Sequence, residues 1–374
     1  MATETSATTC VRLRRCNITS ECNEVHPQCR NCERYNLACS FSSPSLTRTP
    51  LNEDSLADLE LLEFWHRHPV TADYSDGARA FQYDFVRLGF SHHCLLNSIL
   101  ALAALQLFDQ DRSRSRWCIR ATAHQHAALT RAGPHLQQPE ECQQKSLLGF
   151  AAFTTLYAVA EPTLRPVRRD GEPAGFDPVA ELIHAIKLGR STTAFVQNNL
   201  TSQPWEDSMV VSKFNPIRRE PVDDLEQRFP HLALLHDLVE RNCESQQKQA
   251  CLHAIEILFT SIAFLMDNPG DSRQTKLIWG WGNEVDSIFL DMCSARHAVA
   301  VVILAHYGVL MSLNAGLWHL RRWPAALLKH IDSLLDEEWH EGLSWPAQVI
   351  SATAVSPSSV VSSALLSEPN RMLP

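Results

Sequence analysis

Half of the twelve cysteines in this chain lie within its first 39 residues, and this cluster limits what the N-terminus can fold into. The other six are scattered without ligand-like spacing, as is usual for small buried apolar side chains. The N-terminus has no secretory signal, so we expect an intracellular chain whose dense cysteines bind metal rather than form disulfides. The candidate metal ligands are Cys10, Cys16, Cys22, Cys29, Cys32 and Cys39.

The spacing of the last four of these cysteines favours zinc. From Cys22 to Cys39 it reads C-x6-C-x2-C-x6-C. Four thiolates at short spacing suit tetrahedral zinc, and six can hold two ions if two sulfurs bridge. So short a segment cannot form a hydrophobic core of its own and needs bound metal ions to fold. The alternative is a chance cysteine-rich N-terminus, which the accompanying Pro27 and Asn31 disfavour.

The stretch from Cys22 to Cys39 resembles the Zn2Cys6 zinc binuclear cluster of fungal transcription factors. That family's latter half reads C-[DN]-E-x-x-P-x-C-x-N-C-x6-C, and this stretch matches it position by position. The resemblance implies two zinc ions per cluster and DNA as the partner, with a helix of the module in the major groove. It also implies that Cys22, Cys29, Cys32 and Cys39 are zinc ligands, Cys29 being one of the two bridging sulfurs.

The first half of the cluster departs from that family pattern. Cys10, Cys16 and Cys22 are spaced C-x5-C-x5-C, where the family has C-x2-C-x6-C with basic residues before the third cysteine. In this chain the basic residues lie between the first and second cysteines, whereas the family has them between the second and third. Three explanations stay open: a genuine variant cluster, a degenerate cluster that has lost DNA binding, or an error in the translated gene around residues 10–21. The candidate DNA-binding residues are Arg12, Arg14 and Arg15.

Charge is also distributed unevenly. The first 42 residues carry five Arg and four Glu, which gives them a net charge of +1. The whole chain has a net charge of −9, so the remaining residues together carry −10. Such a body would repel DNA, and phosphate contacts are expected from the N-terminal piece. A net charge of +1 predicts weak, salt-sensitive binding by a monomer, so a homodimer would be needed for useful affinity. No heptad run follows the cluster, so a coiled-coil dimer is not predicted and monomeric binding is the alternative.

Helical periodicity dominates the chain after a Ser/Pro-rich linker. Alternating strand-like segments are nearly absent, which predicts a mainly α fold. Capping signatures at Asp54 and Asp177 predict helix starts, and Gly133-Pro134 predicts a helix end. Three further segments indicate helices: 94–108 is apolar nearly all round, 252–266 has an apolar stripe, and 284–320 is one long run. The predicted organisation is a zinc-stapled module at 10–39, a linker at 40–54, an all-α regulatory domain at 55–350 and a flexible tail at 351–374.

The body carries a second resemblance, to the middle domain of fungal transcription factors of the sterol-uptake-regulator type. The similar segments occur in the same order and span roughly residues 56–350: Leu56–Leu62, Leu95–Leu105, Val302–Leu310 and Trp345-Pro346. The resemblance implies a helical domain that controls activation and binds a hydrophobic small molecule, and no pocket residue is assigned. The alternative is that the nine Trp and fifteen Phe simply fill the core. His306 and Tyr307 are expected to be satisfied core residues.

Catalytic and membrane signatures are absent from the sequence. No P-loop, GxGxxG, HExxH or GxSxG motif occurs, so we expect no enzyme. The longest apolar stretches, 94–108 and 298–305, are shorter than the ~20 residues needed to cross a bilayer. We therefore expect a nuclear, zinc-dependent, sequence-specific DNA-binding regulator of RNA polymerase II genes. The alternative is an interaction protein or hydrophobic-ligand sensor with a degenerate zinc cluster that does not bind DNA.

Overall fold

The computed structural model describes residue 25 and residues 28–36, 52–68, 76–137, 144–165, 176–199, 221–268, 274–314 and 316–355. Within these ranges every regular element is a helix and no strand occurs, which confirms the mainly α prediction. The chain divides into two compact units, Met1–Glu60 and Leu61–Pro374. Short 3-10 turns occur at Pro162–Leu164 and Glu337–Trp339. The helices are α1 Arg30–Arg34, α2 Glu53–Arg67, α3 Asp76–Gly89, α4 His93–Gln110, α5 Arg116–Gln137, α6 Gln144–Ala160, α7 Pro178–Asn199, α8 Val222–Arg228, α9 Leu232–Asn242, α10 Ser245–Asp267, α11 Gln274–Glu284, α12 Ser287–Ser294, α13 Ala298–Ser312, α14 Trp323–Leu334 and α15 His340–Val355.

Two helices of the second unit are buried on nearly every side and organise the packing. In α13 every residue from Val299 to Ser312 is buried, and the helix packs against α9, α10, α14 and α15. Helix α4 is buried almost as completely and packs against α3, α5 and α6. An all-round apolar sequence can form a stable helix only when neighbours cover each face. The prediction of a central buried helix at 94–108 is confirmed.

Polar contacts join these two helical groups to each other. The indole nitrogen of Trp323, at the start of α14, donates to the carbonyl oxygen of Val159 on α6 at 2.8 Å. The carboxylate of Asp109, near the end of α4, accepts from Arg321 at 2.6 Å and from Arg322 at 2.7 Å. Helices α6 and α7 also pack directly together. The α4 group and the α13 group are therefore tied both by apolar packing and by buried hydrogen bonds.

Helix starts were predicted correctly at one cap and wrongly at another. The Asp177 carboxylate accepts from the backbone N–H of Ala180 at 3.0 Å, and α7 begins at Pro178, as predicted. The start predicted at Asp54 is wrong, because α2 begins at Glu53. There the side-chain oxygen of Asn52 accepts from the N–H of Ser55 at 2.7 Å, so Asn52 is the capping residue.

Two predicted helix boundaries are corrected. Helix α5 continues through Pro134 to Gln137, because a proline in the last turn removes one hydrogen bond without preventing the next residues from staying helical. The run at 284–320 is broken, since α12 and α13 meet at a 103° bend. At that bend Arg296 has a left-handed backbone with φ of 59°.

The C-terminal end of the fold also differs from the expectation. Helix α15 runs to Val355, so the first residues of the predicted tail are helical. The remaining residues of the tail, residues 40–51 of the linker predicted at 40–54, and most of the cysteine segment lie outside the described residues. The last two residues of that predicted linker, Glu53 and Asp54, belong to α2. The domain boundaries themselves stay predictions.

Helix α10 is long and apolar enough to span a membrane, judged by its length and composition alone. The bent pair formed by α12 and α13 passes the same test as one segment. In α10, 67% of the apolar window is buried inside the fold, as in the core helix of a globular domain.

Candidate functional site

The described part of the cysteine segment contains two predicted zinc ligands, Cys29 and Cys32, side by side. Both side chains are fully buried, and α1 starts directly after Cys29. The backbone N–H of Cys32 donates to the sulfur of Cys29 at 3.5 Å, and the N–H of Glu33 donates to the carbonyl oxygen of Cys29 at 3.0 Å. The helical turn thus places residues i and i+3 on one side and supplies a backbone donor to one sulfur.

This pair fits a thiolate zinc site in donor type and arrangement. Cysteine sulfur is a preferred zinc ligand, and a short C-x2-C spacing is common where zinc is structural. A backbone N–H directed at a ligating sulfur is the kind of outer-shell contact that stabilises a thiolate. Helix α1 ends at Arg34, and Asn36 in the following turn has a left-handed backbone with φ of 49° and donates its N–H to the carbonyl oxygen of Glu33 at 3.2 Å. Asparagine tolerates that conformation better than most residues.

The remaining predicted site residues cannot be assigned positions. Among the described residues, no group of three or more His, Cys, Asp or Glu side chains has an arrangement that could hold a metal ion. Of the predicted zinc ligands, the described residues include Cys29 and Cys32, which lie together in one turn, and two-zinc binding stays a prediction. The predicted site residues that lie outside the described residues are Cys10, Cys16, Cys22, Cys39, Arg12, Arg14 and Arg15.

In the helical body, two histidines are buried in an aromatic cluster beside α13. The ring of His231 stacks on Trp345 with centroids 3.8 Å apart and lies parallel to His306 at 6.0 Å. The Nδ1–H of His306 donates to the carbonyl oxygen of Val302 at 2.9 Å, whereas both ring nitrogens of His231 are buried without a hydrogen-bond partner. Burial lowers the pKa of His231 to about 2, with a smaller contribution from His306, and lowers the pKa of His306 to about 4. Both rings are therefore neutral at physiological pH.

The expectation that His306 and Tyr307 are satisfied core residues is confirmed. Tyr307 is 2% exposed, and its hydroxyl donates to the carbonyl oxygen of Ile278 at 3.0 Å. Its ring stacks on Trp281 with centroids 4.1 Å apart. The Nδ1 of His306 and the hydroxyl of Tyr307 are thus both hydrogen-bonded to backbone carbonyl oxygens inside the core.

A groove of about 960 Å³ lies between α8, α9 and α10 and the start of α12. Its buried lining is apolar and includes Leu225, Leu232 and Ile255. Its more exposed lining is charged and includes Glu240, paired with Lys248 at 2.5 Å. The volume suits a ligand, but a groove with a charged margin differs from an enclosed apolar pocket. The hydrophobic ligand implied by the resemblance stays a prediction.

Sequence reasoning missed a group of arginines at the junction of α4 and α5. The signal was the segment from Asp111 to Arg120, which contains four arginines in a chain with a net charge of −9. The structure brings Arg165 beside Arg112, whose Nη2 donates to the Arg165 carbonyl oxygen at 3.2 Å, and it brings Arg321 and Arg322 to the carboxylate of Asp109. The group, here called the arginine corner, consists of three arginines of the segment, Arg112, Arg114 and Arg116, together with Arg165, Arg321 and Arg322.

Comparison with known proteins gives one weak similarity. No protein-family model matches the chain. No solved structure matches it either. The chain is 28% identical over 128 residues to the Zn(2)-C6 fungal-type transcription factor afumD of Aspergillus fumigatus. The alignment covers 29% of this chain and 34% of that protein, so this chain spans about a third of the length of the relative that it matches.

Proposed function

We propose that this chain is a zinc-dependent, sequence-specific DNA-binding regulator of RNA polymerase II transcription that acts in a fungal nucleus. The observation that carries the proposal is the buried Cys29–Cys32 turn, which lies inside the segment with the Zn2Cys6 spacing. The weak similarity to a fungal Zn(2)-C6 transcription factor supports the same class. The relative is a transcription factor by its name, and we propose a regulator and no enzymatic activity.

The cysteines would have a structural role in this function. Cys29 and Cys32 would hold zinc together with Cys22 and Cys39, and Cys10 and Cys16 would complete a two-zinc cluster. Bound zinc would supply a rigid tetrahedral staple for a segment too short to form a hydrophobic core. The chain's own contribution is the turn that fixes the two sulfurs and the N–H bond to Cys29.

DNA contact would come from cationic side chains around this turn. Arg30 and Arg34 are exposed on α1, on the same short helix as Cys32. Arg12, Arg14 and Arg15 would add phosphate or base contacts if the first half of the cluster is functional. Because each neutralised phosphate releases counterions, binding should weaken steeply as salt concentration rises.

The helical body would regulate this activity. Its extensive packing around α4 and α13 makes it a stable platform for contacts with a second copy, with the transcription machinery or with a small molecule. Dimerisation would raise the affinity of a weakly charged DNA-binding segment. A hydrophobic ligand and a homodimer are both part of the proposal, and no described residue is assigned to either.

The experiment is a comparison of DNA binding by the full chain with and without its central cysteine pair. Selection of bound sequences from a random duplex library, followed by fluorescence anisotropy on the enriched sequence, measures specificity and affinity. We expect Cys29→Ser/Cys32→Ser and zinc chelation each to abolish preference for the enriched sequence. Cys118→Ser, a change at a half-buried cysteine of the body, should leave it unchanged.

An absence of any enriched sequence for the parent chain would overturn the proposal. In that case the interaction or ligand-sensing alternative with a degenerate cluster would gain. Circular dichroism of each variant separates loss of binding from unfolding of the helical body, because the body contains almost all of the described helix.

A further inference from the structure

Three sulfur-containing side chains meet where α9, α10 and α12 pack together. The thiol of Cys251 on α10 donates to the thioether sulfur of Met292 on α12 at 4.0 Å. Cys243, the residue that follows α9, packs against the apolar core to which both of them belong. Cys251 and Met292 are at most 5% exposed, whereas Cys243 is half-buried. The group therefore combines two sulfurs inside the core with one that has access to solvent.

Cys243 and Cys251 interact directly. Burial raises the pKa of both thiols, and a hydrogen bond between them partly offsets this effect at Cys243. The backbone N–H of Cys243 donates to the carbonyl oxygen of Val239 at 3.1 Å, which fixes the end of α9. The next residue, Glu244, caps α10 through reciprocal bonds with Gln247. The short junction between the two helices therefore keeps Cys243 next to Cys251.

The separation of the Cys251 and Met292 sulfurs fits two ligands of one metal ion. Two sulfurs bonded to an ion at about 2.3 Å lie roughly 3.8–4.0 Å apart when the bonds meet at about 110–120°. The observed separation of 4.0 Å agrees with this value. An ion could therefore bind both sulfurs with little movement of either helix.

Two thiols and one thioether favour copper(I) over zinc. Cu(I) is a soft ion that selects thiolate and thioether sulfur, whereas structural zinc sites use four ligands drawn from cysteine, histidine and carboxylates. Among the described residues, no three His, Cys, Asp or Glu side chains are arranged to hold an ion, so a zinc set is not present in this part of the chain. The nearby Cys293 is engaged elsewhere, because its thiol donates to the carbonyl oxygen of Ala300 at 3.7 Å.

We propose that Cys243, Cys251 and Met292 form a Cu(I) site in the helical body. On binding, the two thiol protons pass to solvent, two thiolate–copper bonds form, and the thioether of Met292 supplies the third sulfur. The ion enters from the side of the half-buried Cys243. Once bound it joins α10 and α12 to the end of α9, so it stabilises the helical body against unfolding. The site depends neither on DNA binding nor on the zinc cluster.

The test measures copper binding and thermal stability of the full chain together. The chain is kept free of oxygen with Cu(I) buffered by bicinchoninate, and thermal unfolding is followed by far-ultraviolet circular dichroism. This signal reports the helical body, which contains almost all of the described helix. We expect free Cu(I) at about 100 times its dissociation constant to raise the Tm by roughly 5 °C.

Three variants assign this effect to the sulfur group. Cys251→Ala should bind one copper ion fewer than the parent chain and show no rise in Tm with Cu(I). Met292→Leu keeps a similar apolar volume and should show a smaller rise than the parent chain. Cys293→Ala is the matched control, since Cys293 is as buried as Cys251 and should keep both the copper content and the rise. Each rise is measured against the same variant without metal, so a loss of stability from the substitution itself does not affect the comparison.

Three results would overturn the inference. The first is a parent chain that binds copper but unfolds at the same temperature with and without it, because that copper would belong to the N-terminal cysteines. The second is an equal rise in Tm for the parent chain and for Cys251→Ala. The third is a larger rise with Zn(II) than with Cu(I), which would exclude a site selective for Cu(I). None of these results bears on sequence-specific DNA binding, so the proposed function is tested separately.

Discussion

At the scale of single residues, the helical body keeps several titratable side chains neutral inside its core. His231 stacks on Trp345 with neither ring nitrogen bonded, and His319 is likewise buried with both nitrogens unpartnered. Burial lowers the pKa of His319 to about 4. Each of these rings is stable in place only as long as it stays uncharged, because charging it would place an unsolvated cation in an apolar site.

Because three histidines are buried and uncharged, we predict that the free energy of unfolding decreases in mild acid. Their folded-state pKa values lie between about 2 and about 4, below the ordinary value of 6.5, so the unfolded chain binds protons first as the pH drops. The free energy of unfolding has its full value at pH values above the ordinary histidine pKa. Below that pKa it decreases by about 1.4 kcal/mol per pH unit for each of these histidines. Urea unfolding at a series of pH values between 7 and 5 measures this slope.

A single substitution tests how much one of these histidines contributes to the pH dependence of stability. His231→Phe keeps a ring on Trp345 and removes the titrating nitrogens, so it should lower the pH slope by about 1.4 kcal/mol per pH unit and leave stability at pH 7 equal or higher. His184→Gln, at an exposed histidine of α7, should leave the slope unchanged. An unaltered slope in His231→Phe would show that His231 is not held neutral by the fold.

At the scale of helices, close contact between neighbours decides which positions tolerate change. Gly149 on α6 lies against Phe85 of α3, and an added Cβ would come within 2.3 Å of that ring and 2.9 Å of Leu95 on α4. At Gly189 on α7 an added Cβ would be at an ordinary contact distance, 3.7 Å from the methyl carbon of Thr155. The two glycines are both inside helices, so they differ in surroundings and not in backbone requirement.

This pair predicts opposite effects of one chemical change. Gly149→Ala should destabilise the chain by about 1–3 kcal/mol, because Phe85 and Leu95 must move in a packed core. Gly189→Ala should stabilise it by about 0.5–1 kcal/mol, since alanine has the higher helix propensity and its methyl group makes only ordinary van der Waals contact. Chemical denaturation of both variants provides the comparison, and a cost for Gly189→Ala equal to that of Gly149→Ala would contradict the packing of Gly149 against Phe85.

Helix identity followed from the sequence, whereas several boundaries did not. The buried segment of α4, the start of α7 at Asp177 and the stripe of α10 were all recognisable, because apolar period and proline after an acidic cap are local signals. The break near Arg296 was missed, since an apolar run gives no sign of a 103° bend. The cap at Asn52 was missed because Asp54 offers an equally good capping side chain.

The candidate sites divide in the same way. The Cys29–Cys32 pair was predictable, because a C-x2-C spacing is local and its chemistry is specific. Only part of the arginine corner could be predicted from the sequence, because Arg165 and Arg321 lie far from Arg112 along the chain and join the group only in the folded structure. Charge assembled by tertiary contact cannot be seen in a local pattern.

At the scale of the whole molecule, the chain divides into a small cysteine-rich unit and a large helical one. In the proposed function the first unit recognises DNA and requires zinc, and the second regulates that binding. Net charge agrees with this division, since nearly all of the negative charge lies in the body. The helical unit has its own extensive core, so removal of zinc should leave its secondary structure intact.

The most direct test of the central claim is the zinc content of the purified full chain under reducing conditions. Elemental analysis together with native mass spectrometry should give two zinc ions per chain. Cys29→Ser should lose at least one of them, because the resemblance makes Cys29 a bridging ligand. Two zinc ions that depend on Cys29 are the predicted result. One zinc ion or none in the parent chain would contradict the two-zinc cluster and leave the helical body as the carrier of function.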